Sequence, residues 1–407
     1  MNVAILGCGA VGQSIGQGLA ESPLISKLVL ADVQLNGPEN VARRTKSDKI
    51  TISKVDAKNE KEVAALARQV DLVVNGTAPA LNPKIMEGCL KGGACYLDMA
   101  SGYEENENPS DIDPISPDHQ FNQDKRWEEA GLLALISMGI DPGASDIFAK
   151  GAANRMESVD YIKVRDADTG HVEGYEFAAQ FSPEAMLEEV LFDPLYWENG
   201  KWHRSPALEV SEIYDFPAPI GPLKVYRTDH EESELIPRFL GKQVGKIDFM
   251  ITLNETFVSY IRMLRKIGLT NRNPIDVKGS KIVPFDVVVS TMPRPDALSG
   301  MIRGTAMVLT EVGGQMRGQD VRIRTWTYIS HEAAYDLCGI HATAYQTAMS
   351  PVVAIEMMAR GEIKEKGVKP PEVVDPVKFC EYLREKRMPV LEEILPIENK
   401  RENMRES

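Results

Sequence analysis

The chain has 407 residues, 43% of them hydrophobic, with a formal net charge of −14 and a pI of about 5.1. That length divides into two domains with cores of their own, and the acid excess argues against nucleic-acid binding, which needs a basic patch that nowhere stands out. The five cysteines are odd in number and form no CxxC or CxH spacing, which disfavours a zinc cluster and a disulfide framework and suits reduced thiols in a cytoplasmic protein. The first residues enter a strand directly, so no secretory leader is expected, and the apolar run 132–136 falls far short of a membrane span.

Val3-Ala4-Ile5-Leu6 runs into Gly7-Cys8-Gly9-Ala10-Val11-Gly12, an apolar strand followed by a glycine-rich turn and a helix. That succession can hold the pyrophosphate of a dinucleotide. Gly7 permits the tight turn, Gly9 lets backbone N–H groups approach the phosphates, and Gly12 lets the helix pack close to the strand. Ala10 and Val11 open that helix, whose N-terminus faces an anion with partial positive charge. A second strand, Lys27–Asp32, ends in an acid twenty residues after Gly12, the spacing of a carboxylate that accepts hydrogen bonds from the adenine ribose. Asp32 repels a 2′-phosphate and so predicts NAD over NADP, while Arg43 and Arg44 nearby keep NADP open.

Further strands are expected at 50–56, 71–76, 94–98 and 132–137, with helices at 60–69, 82–91 and 122–130. Repeated strand–helix units with continuous apolar strands mean a parallel, doubly wound sheet, an α/β fold of Rossmann type. The loop 104–118 carries six acids and no Lys or Arg, and reads as a solvated surface segment. Ligands in such sheets bind outside the carboxyl ends of the strands. That gathers Asp56, Asn75-Gly76-Thr77, Asp98 and Asp141 around one cleft. Asp56 either approaches the adenine or caps the next helix, and Asn75, Gly76 and Thr77 lie at the nicotinamide side of the pyrophosphate. Asp98 and Asp141 are the acids best placed for the reacting end, each with a turn or helix cap as its alternative reading.

The pattern changes after Gly139-Ile140-Asp141-Pro142-Gly143. A helix is predicted over 144–155, then alternating strands at 159–165, 224–227, 246–253, 282–289, 306–311 and 321–329. Alternation implies a sheet covered on one face, in a second, α+β domain with largely antiparallel strands. His230-Glu231-Glu232 and Arg238 fall in an unusually charged segment. Arg238 has the fork to clamp a substrate carboxylate, or else makes a surface salt bridge. His331 follows a strand end, facing the cleft or serving the structure. A helix over 342–360 is interrupted at Ser350-Pro351, and the tail 398–407 frays. With no paired-histidine motif, nucleophile elbow or P-loop, neither a metal site nor hydrolase or kinase chemistry is expected.

Four features together resemble the saccharopine dehydrogenase family, which includes lysine 6-dehydrogenase and carboxynorspermidine dehydrogenase. They are the glycine turn with Asp32, the junction Ile136-Ser137-Met138-Gly139-Ile140-Asp141-Pro142-Gly143, the stretch from Gly174-Tyr175-Glu176-Phe177 through Ser182-Pro183-Glu184 to Glu198-Asn199-Gly200-Lys201, and Ala359-Arg360-Gly361-Glu362-Ile363 with Gly367-Val368-Lys369-Pro370-Pro371-Glu372. The resemblance implies a dinucleotide-binding domain of residues 1–141 plus 340–407, and an inserted α+β substrate and dimerisation domain of residues 142–339. It implies a homodimer, while the acid excess and the short apolar runs predict no nucleic-acid or membrane partner. The activity it implies is hydride transfer between NAD(P) and a carbon bonded to nitrogen, in an amino acid or opine-type secondary amine of saccharopine or lysine type. Asn273-Pro274-Ile275, Lys281-Ile282-Val283-Pro284 and Ser330-His331-Glu332-Ala333-Ala334-Tyr335 look instead like the carboxynorspermidine branch, which makes a polyamine precursor the alternative substrate. A non-catalytic NAD(H)-sensing regulator is the alternative of another class. In the enzyme reading, positive charge develops at nitrogen, where Asp141 or Asp98 stabilises it, and Tyr103 offers the substrate a hydrogen bond.

Overall fold

A computed structural model describes residues 1–101 and 117–397. The glycine turn and its neighbours build a seven-stranded parallel sheet. Its strands include β1 (Asn2–Leu6), β2 (Lys27–Asp32), β3 (Ile50–Lys54), β4 (Leu72–Asn75), β5 (Cys95–Asp98) and β6 (Leu133–Leu135), and the spatial order is Gly367–Lys369, β6, β5, β4, β1, β2, β3. The strands are apolar on both faces because both are covered. Val3 and Ile5 of β1 join Leu28 and Leu30 in one core with α1 (Ala10–Glu21) and the long helix Ala342–Ala359. Ala4 and Leu6 point the other way, into a core with Val63, Leu66, Ile85 and Met86 of α3 (Glu60–Ala67) and α4 (Asn82–Gly92); α2 (Asn36–Thr45) follows β2. The order reverses between β1 and β4, so the carboxyl ends of these two strands flank the crevice.

Beyond the junction, a second sheet is centred on β7 (Ser158–Asp168), which pairs in parallel with Val244–Thr252 and antiparallel with Thr305–Met316. Gln319–Ser330 and then Val390–Pro396 extend it on one side, and Leu195–Glu198 and Lys201–Arg204 on the other. The described residues from 340 to 397 therefore do not return as one block to the parallel sheet. Gly367–Lys369 pairs with β6, whereas Val390–Pro396 satisfies the edge of Gln319–Ser330, whose backbone groups would otherwise lack partners.

Two further expectations are corrected. The β-branched run expected as a strand at 282–289 is a helix, Pro284–Thr291, with Pro284 in its first turn. Phe285 and Val288, three residues apart, fill a cluster with Phe257, Val258 and Ile261, so tertiary burial outweighs β-propensity. The helix Ala342–Ala359 runs unbroken through Ser350-Pro351. It is apolar all round and packed on all sides, which offsets the hydrogen bond that Pro351 cannot donate to Thr347. The helix Glu232–Phe239, which encloses Arg238, and the helices Pro183–Leu191, Glu255–Lys266 and Pro376–Glu385 had no predicted counterpart.

Candidate active site

The glycine turn is closed by its own packing. Gly7 has φ +95°, and a Cβ on Gly12 would lie 2.0 Å from the Gly7 carbonyl oxygen, so helix and turn approach to a distance that only glycine allows. A Cβ on Gly9 would meet nothing within 4 Å, which leaves the outer face of the turn open. Gly9 is the N-cap of α1, and the first turn, with Ala10 and Val11, carries no side-chain cap and no acid. Its N–H groups are thus free for an anion. Asp32 Oδ2 accepts from the Cys8 N–H at 2.7 Å and Oδ1 from the Gln34 N–H at 2.9 Å, which fixes the carboxylate beside the turn. Gly76 hydrogen-bonds through its N–H to the Leu6 carbonyl at 2.8 Å and closes against Gly7. Asn75 is buried and organises this corner. Its Oδ1 accepts from Thr77 N and Oγ1 at 3.0 and 2.7 Å, and its Nδ2 donates to Asn82 Oδ1 at 2.8 Å.

A cavity of about 170 Å³ opens where the cradle meets the second sheet. Val11, Pro79, Met99, Ala100 and Ser101 form the wall on the nucleotide side. Asp141, Asp166, Glu188, Glu189, Asp229, His230 and Glu231 form the facing wall, and Thr343 and Thr347 come from the long helix. Among the described residues, no Lys or Arg lines it. Asp141 Oδ2 is buried without a hydrogen-bond partner. Burial and then Asp166 push the Asp141 carboxyl well above the usual range, and burial and then Asp168 do the same to Asp166. Glu189 is pushed to about 7 by burial, against the pull of His230. His230 stacks on Phe249, with ring centroids 3.7 Å apart and planes 7° apart, and its Nδ1 hydrogen-bonds Glu232. Burial works against the charged imidazole, but Glu232, Glu189 and Asp141 outweigh it and hold the ring well above its ordinary range.

Residues 139–388 match the family model described as the saccharopine dehydrogenase C-terminal domain, and residues 3–135 match the saccharopine dehydrogenase NADP binding domain. The chain belongs to the saccharopine dehydrogenase family. A carboxynorspermidine synthase of Vibrio cholerae serotype O1 is 28% identical over 396 residues, 94% of each chain. A carboxyaminopropylagmatine dehydrogenase of Synechocystis sp. is 26% identical over 390 residues, 95% of this chain and 96% of that one. Saccharopine dehydrogenase (L-Glu forming) of Saccharomyces cerevisiae shares the fold, with a TM-score of 0.72 and 14% identity over 97% of this chain and 99% of that one. The protein is thus an NAD(P)-dependent oxidoreductase of this family, which replaces the reading as a non-catalytic sensor. Gly7, Gly9 and Gly12 with Asp32 fit the dinucleotide, since a side chain would fill the cradle at two of the three glycines and its open face lies at the third.

Within this saccharopine dehydrogenase-type fold, several predicted residues lie elsewhere than at the cavity. Asp98 is buried beneath it. Its Oδ1 accepts from the Ser137 N–H at 2.6 Å, and its Oδ2 accepts from Gln120 at 2.7 Å and Asn82 at 3.2 Å. Burial lifts it to about 7 against those donors, and its side chain ties β5 to the junction. Arg238 is engaged by Glu234 Oε1 at 2.7 Å and Asp118 Oδ1 at 2.5 Å, away from the cavity, because helix Glu232–Phe239 turns it outward. Asp56 is exposed and accepts from the Lys58 N–H at 2.9 Å, while Asn59 caps α3. His331 is buried behind the lining. Its Nδ1 accepts from the Ala342 N–H at 3.2 Å, so a neutral ring donates from Nε2 to Asp168 Oδ1 at 3.0 Å. Asp168 in turn accepts from Thr343 at 3.2 Å, so His331 braces a lining residue. Tyr103 lies outside the described residues.

Asp166 and Glu189 were not singled out from the sequence, and Glu232 was noted only as part of a charged segment. The available signals were Asp166 and Asp168 alternating at the end of a strand and the pair Glu188-Glu189 in an apolar helix, and both patterns are as common on solvated faces.

Proposed function

We propose that this protein carries out NAD(P)-dependent hydride transfer at a C–N bond of a carboxylated, polycationic amine, in the reductive direction. The observation that carries the reading is the cavity wall of six acids and one histidine with no Lys or Arg among the described residues. A saccharopine-type substrate brings several carboxylates, which such a wall repels, whereas a polyamine chain brings ammonium groups that it attracts. The names of the two curated relatives, a carboxynorspermidine synthase and a carboxyaminopropylagmatine dehydrogenase, agree with this choice.

NAD(P), when bound in the glycine cradle, supplies the hydride. The protein orients the imine carbon towards the nucleotide wall and holds the ammonium tail among Asp166, Glu188 and Glu189. Asp141 stabilises positive charge at the imine nitrogen, where the unpaired Oδ2 gains most. His230, held in its protonated range, gives that nitrogen its proton. Asp32 supports NAD over NADP. The homodimer implied by the family resemblance is retained as part of the proposal.

The test is to follow reduced nicotinamide in both directions, with each cofactor, across lysine, saccharopine and carboxylated polyamines. We expect kcat/KM for a carboxylated polyamine to exceed that for saccharopine by about a hundredfold, the worth of two to three water-screened charge contacts of about 1 kcal/mol each. Saccharopine or lysine as the better substrate would overturn the substrate class, and a higher kcat/KM with NADPH would overturn the cofactor preference.

A further inference from the structure

Behind His230 a chain of polar groups leads away from the cavity. Glu232 Oε2 bonds His230 Nδ1, and Glu232 Oε1 accepts from Ser145 Oγ at 2.8 Å. Ser145 Oγ also lies 3.3 Å from Asp146 Oδ2, and Asp146 interacts with Glu372. Ser145, Asp146 and Glu232 are fully buried, and Glu372 is 3% exposed. Asp146 Oδ2 takes the Gly143 N–H at 2.8 Å, but Asp146 Oδ1 and both carboxyl oxygens of Glu372 have no fixed donor. Lys150, whose Nζ donates to the Glu372 carbonyl, and His230 are the cations facing this group, against the acids Glu231, Glu232, Asp146 and Glu372. Two cations cannot keep four buried carboxylates ionised, so the group retains a proton. A proton shared between Asp146 and Glu372 gives both carboxyls the partner they lack.

We propose that His230, Glu232, Ser145, Asp146 and Glu372 form a proton relay, with the Asp146–Glu372 pair as the store that feeds the substrate nitrogen. This rests on reading the cavity as the site of C–N reduction. Per turnover, the imine carbon gains the hydride from NAD(P)H and the imine nitrogen gains the proton from His230 Nε2. As that proton leaves, Nδ1 takes the proton it shares with Glu232. Glu232 takes the Ser145 hydroxyl proton, and Ser145 takes one from the carboxyl pair, which ends one proton poorer. After product release, a proton from bulk solvent reaches Nε2 through the emptied cavity, and Glu232 returns its proton through Ser145 to the carboxyl pair. The store lets the proton arrive from the protein side while substrate and cofactor fill the cavity. Burial holds Glu372 at about 7, which suits a donor working near neutrality.

Two substitutions and a spectrum test this. Glu372→Gln keeps the shape but carries no exchangeable acid proton, and Ser145→Ala cuts the chain. Each is expected to lower kcat for imine reduction about tenfold or more, with KM for the amine within about threefold, and to move the basic limb of the kcat profile to lower pH. Profiles of both variants that superpose on the wild type would overturn the relay. Infrared titration of the cofactor-free protein reads the store without turnover. Because Asp141, Asp166 and other buried acids absorb in the same region, the wild-type minus Glu372→Gln difference spectrum is the readout: one buried protonated-carboxyl band at neutral pH is expected in it, and a difference spectrum without that band overturns the shared proton. Should Glu372→Gln fail to fold, the solvent isotope effect on wild-type kcat decides: a bowed dependence on deuterium fraction supports several protons in flight, and a linear one overturns the chain. A wild type that reduces none of the amines fails the functional reading, while the infrared result still judges the store.

Discussion

Gly9 and Gly12 sit three residues apart and have opposite environments, one open and one closed on the Gly7 carbonyl. Gly9→Ala is expected to leave stability within about 0.5 kcal/mol and to weaken NAD(P) binding, because the methyl group enters the phosphate approach. Gly12→Ala is expected to weaken binding and also cost about 1–3 kcal/mol, since helix and turn must separate. Thermal melts with cofactor titrations distinguish the two; equal stability losses would contradict the asymmetry. Asp141 is the second decisive residue. Asp141→Asn is expected to reduce kcat/KM about a hundredfold, as for a lost transition-state charge contact, while cofactor affinity holds. Because burial and Asp166 already hold the Asp141 carboxyl well above the usual range, an uncharged amide replaces it at little cost and stability at pH 7 should not fall. A variant with wild-type kcat/KM would remove Asp141 from the mechanism.

Elements that read clearly in the sequence are those whose signal is local. The strand–turn–helix at residues 2–21 and the strand ending at Asp32 carry apolar runs, glycine spacing and an acid within one contiguous window, and they form as expected. The segment 282–289 misled because Val287, Val288 and Val289 favour strands locally, while the partners that decide the matter, Phe257 and Ile261, lie far along the chain. The second sheet hides another long-range feature. Arg165 is fully buried on β7, 2.8 Å from Asp248, and Arg227 reaches the same carboxylate at 3.2 Å. These guanidiniums hold Asp248 below the usual carboxylate range, although burial opposes them. Asp248→Ala leaves two buried cations short of a partner and is expected to destabilise the protein by about 3–5 kcal/mol in urea unfolding. A loss under about 1 kcal/mol would show that Glu212 and solvent suffice for both arginines.

For the whole molecule, the burial of acids sets an unusual dependence of stability on pH. Asp98, Glu188, Glu189 and Glu372 are each lifted to about 7, with burial the leading cause. The folded state therefore keeps protons that the unfolded chain sheds from about pH 4 upward. Their contribution is full in acid and lost as pH rises through about 7. His230, held high in the fold, acts in the same direction, present below its unfolded value and lost above its folded one. Asp248 acts oppositely and limits stability only in stronger acid. The urea midpoint should fall between about pH 5 and 8, with a shallower slope in Glu189→Gln. A midpoint that rises across that window would contradict the acid cluster. A bound polycation should flatten the slope, because it favours the ionised wall.

The sequence by itself determined the parallel sheet, the glycine turn, the acid that ends the second strand and the junction at Asp141, since each depends on residues close together in the chain. Only the tertiary structure decided which acids share a cavity. Residues 141, 166, 189 and 230 come from a junction, a strand, a helix and a loop, and no spacing relates them. It also decided that Asp98 and Arg238, equally plausible as residue types, are spent on hydrogen bonds and ion pairs elsewhere. The physical reason is that burial and the company of other charges give a carboxylate its chemistry, and both arise only once distant segments pack.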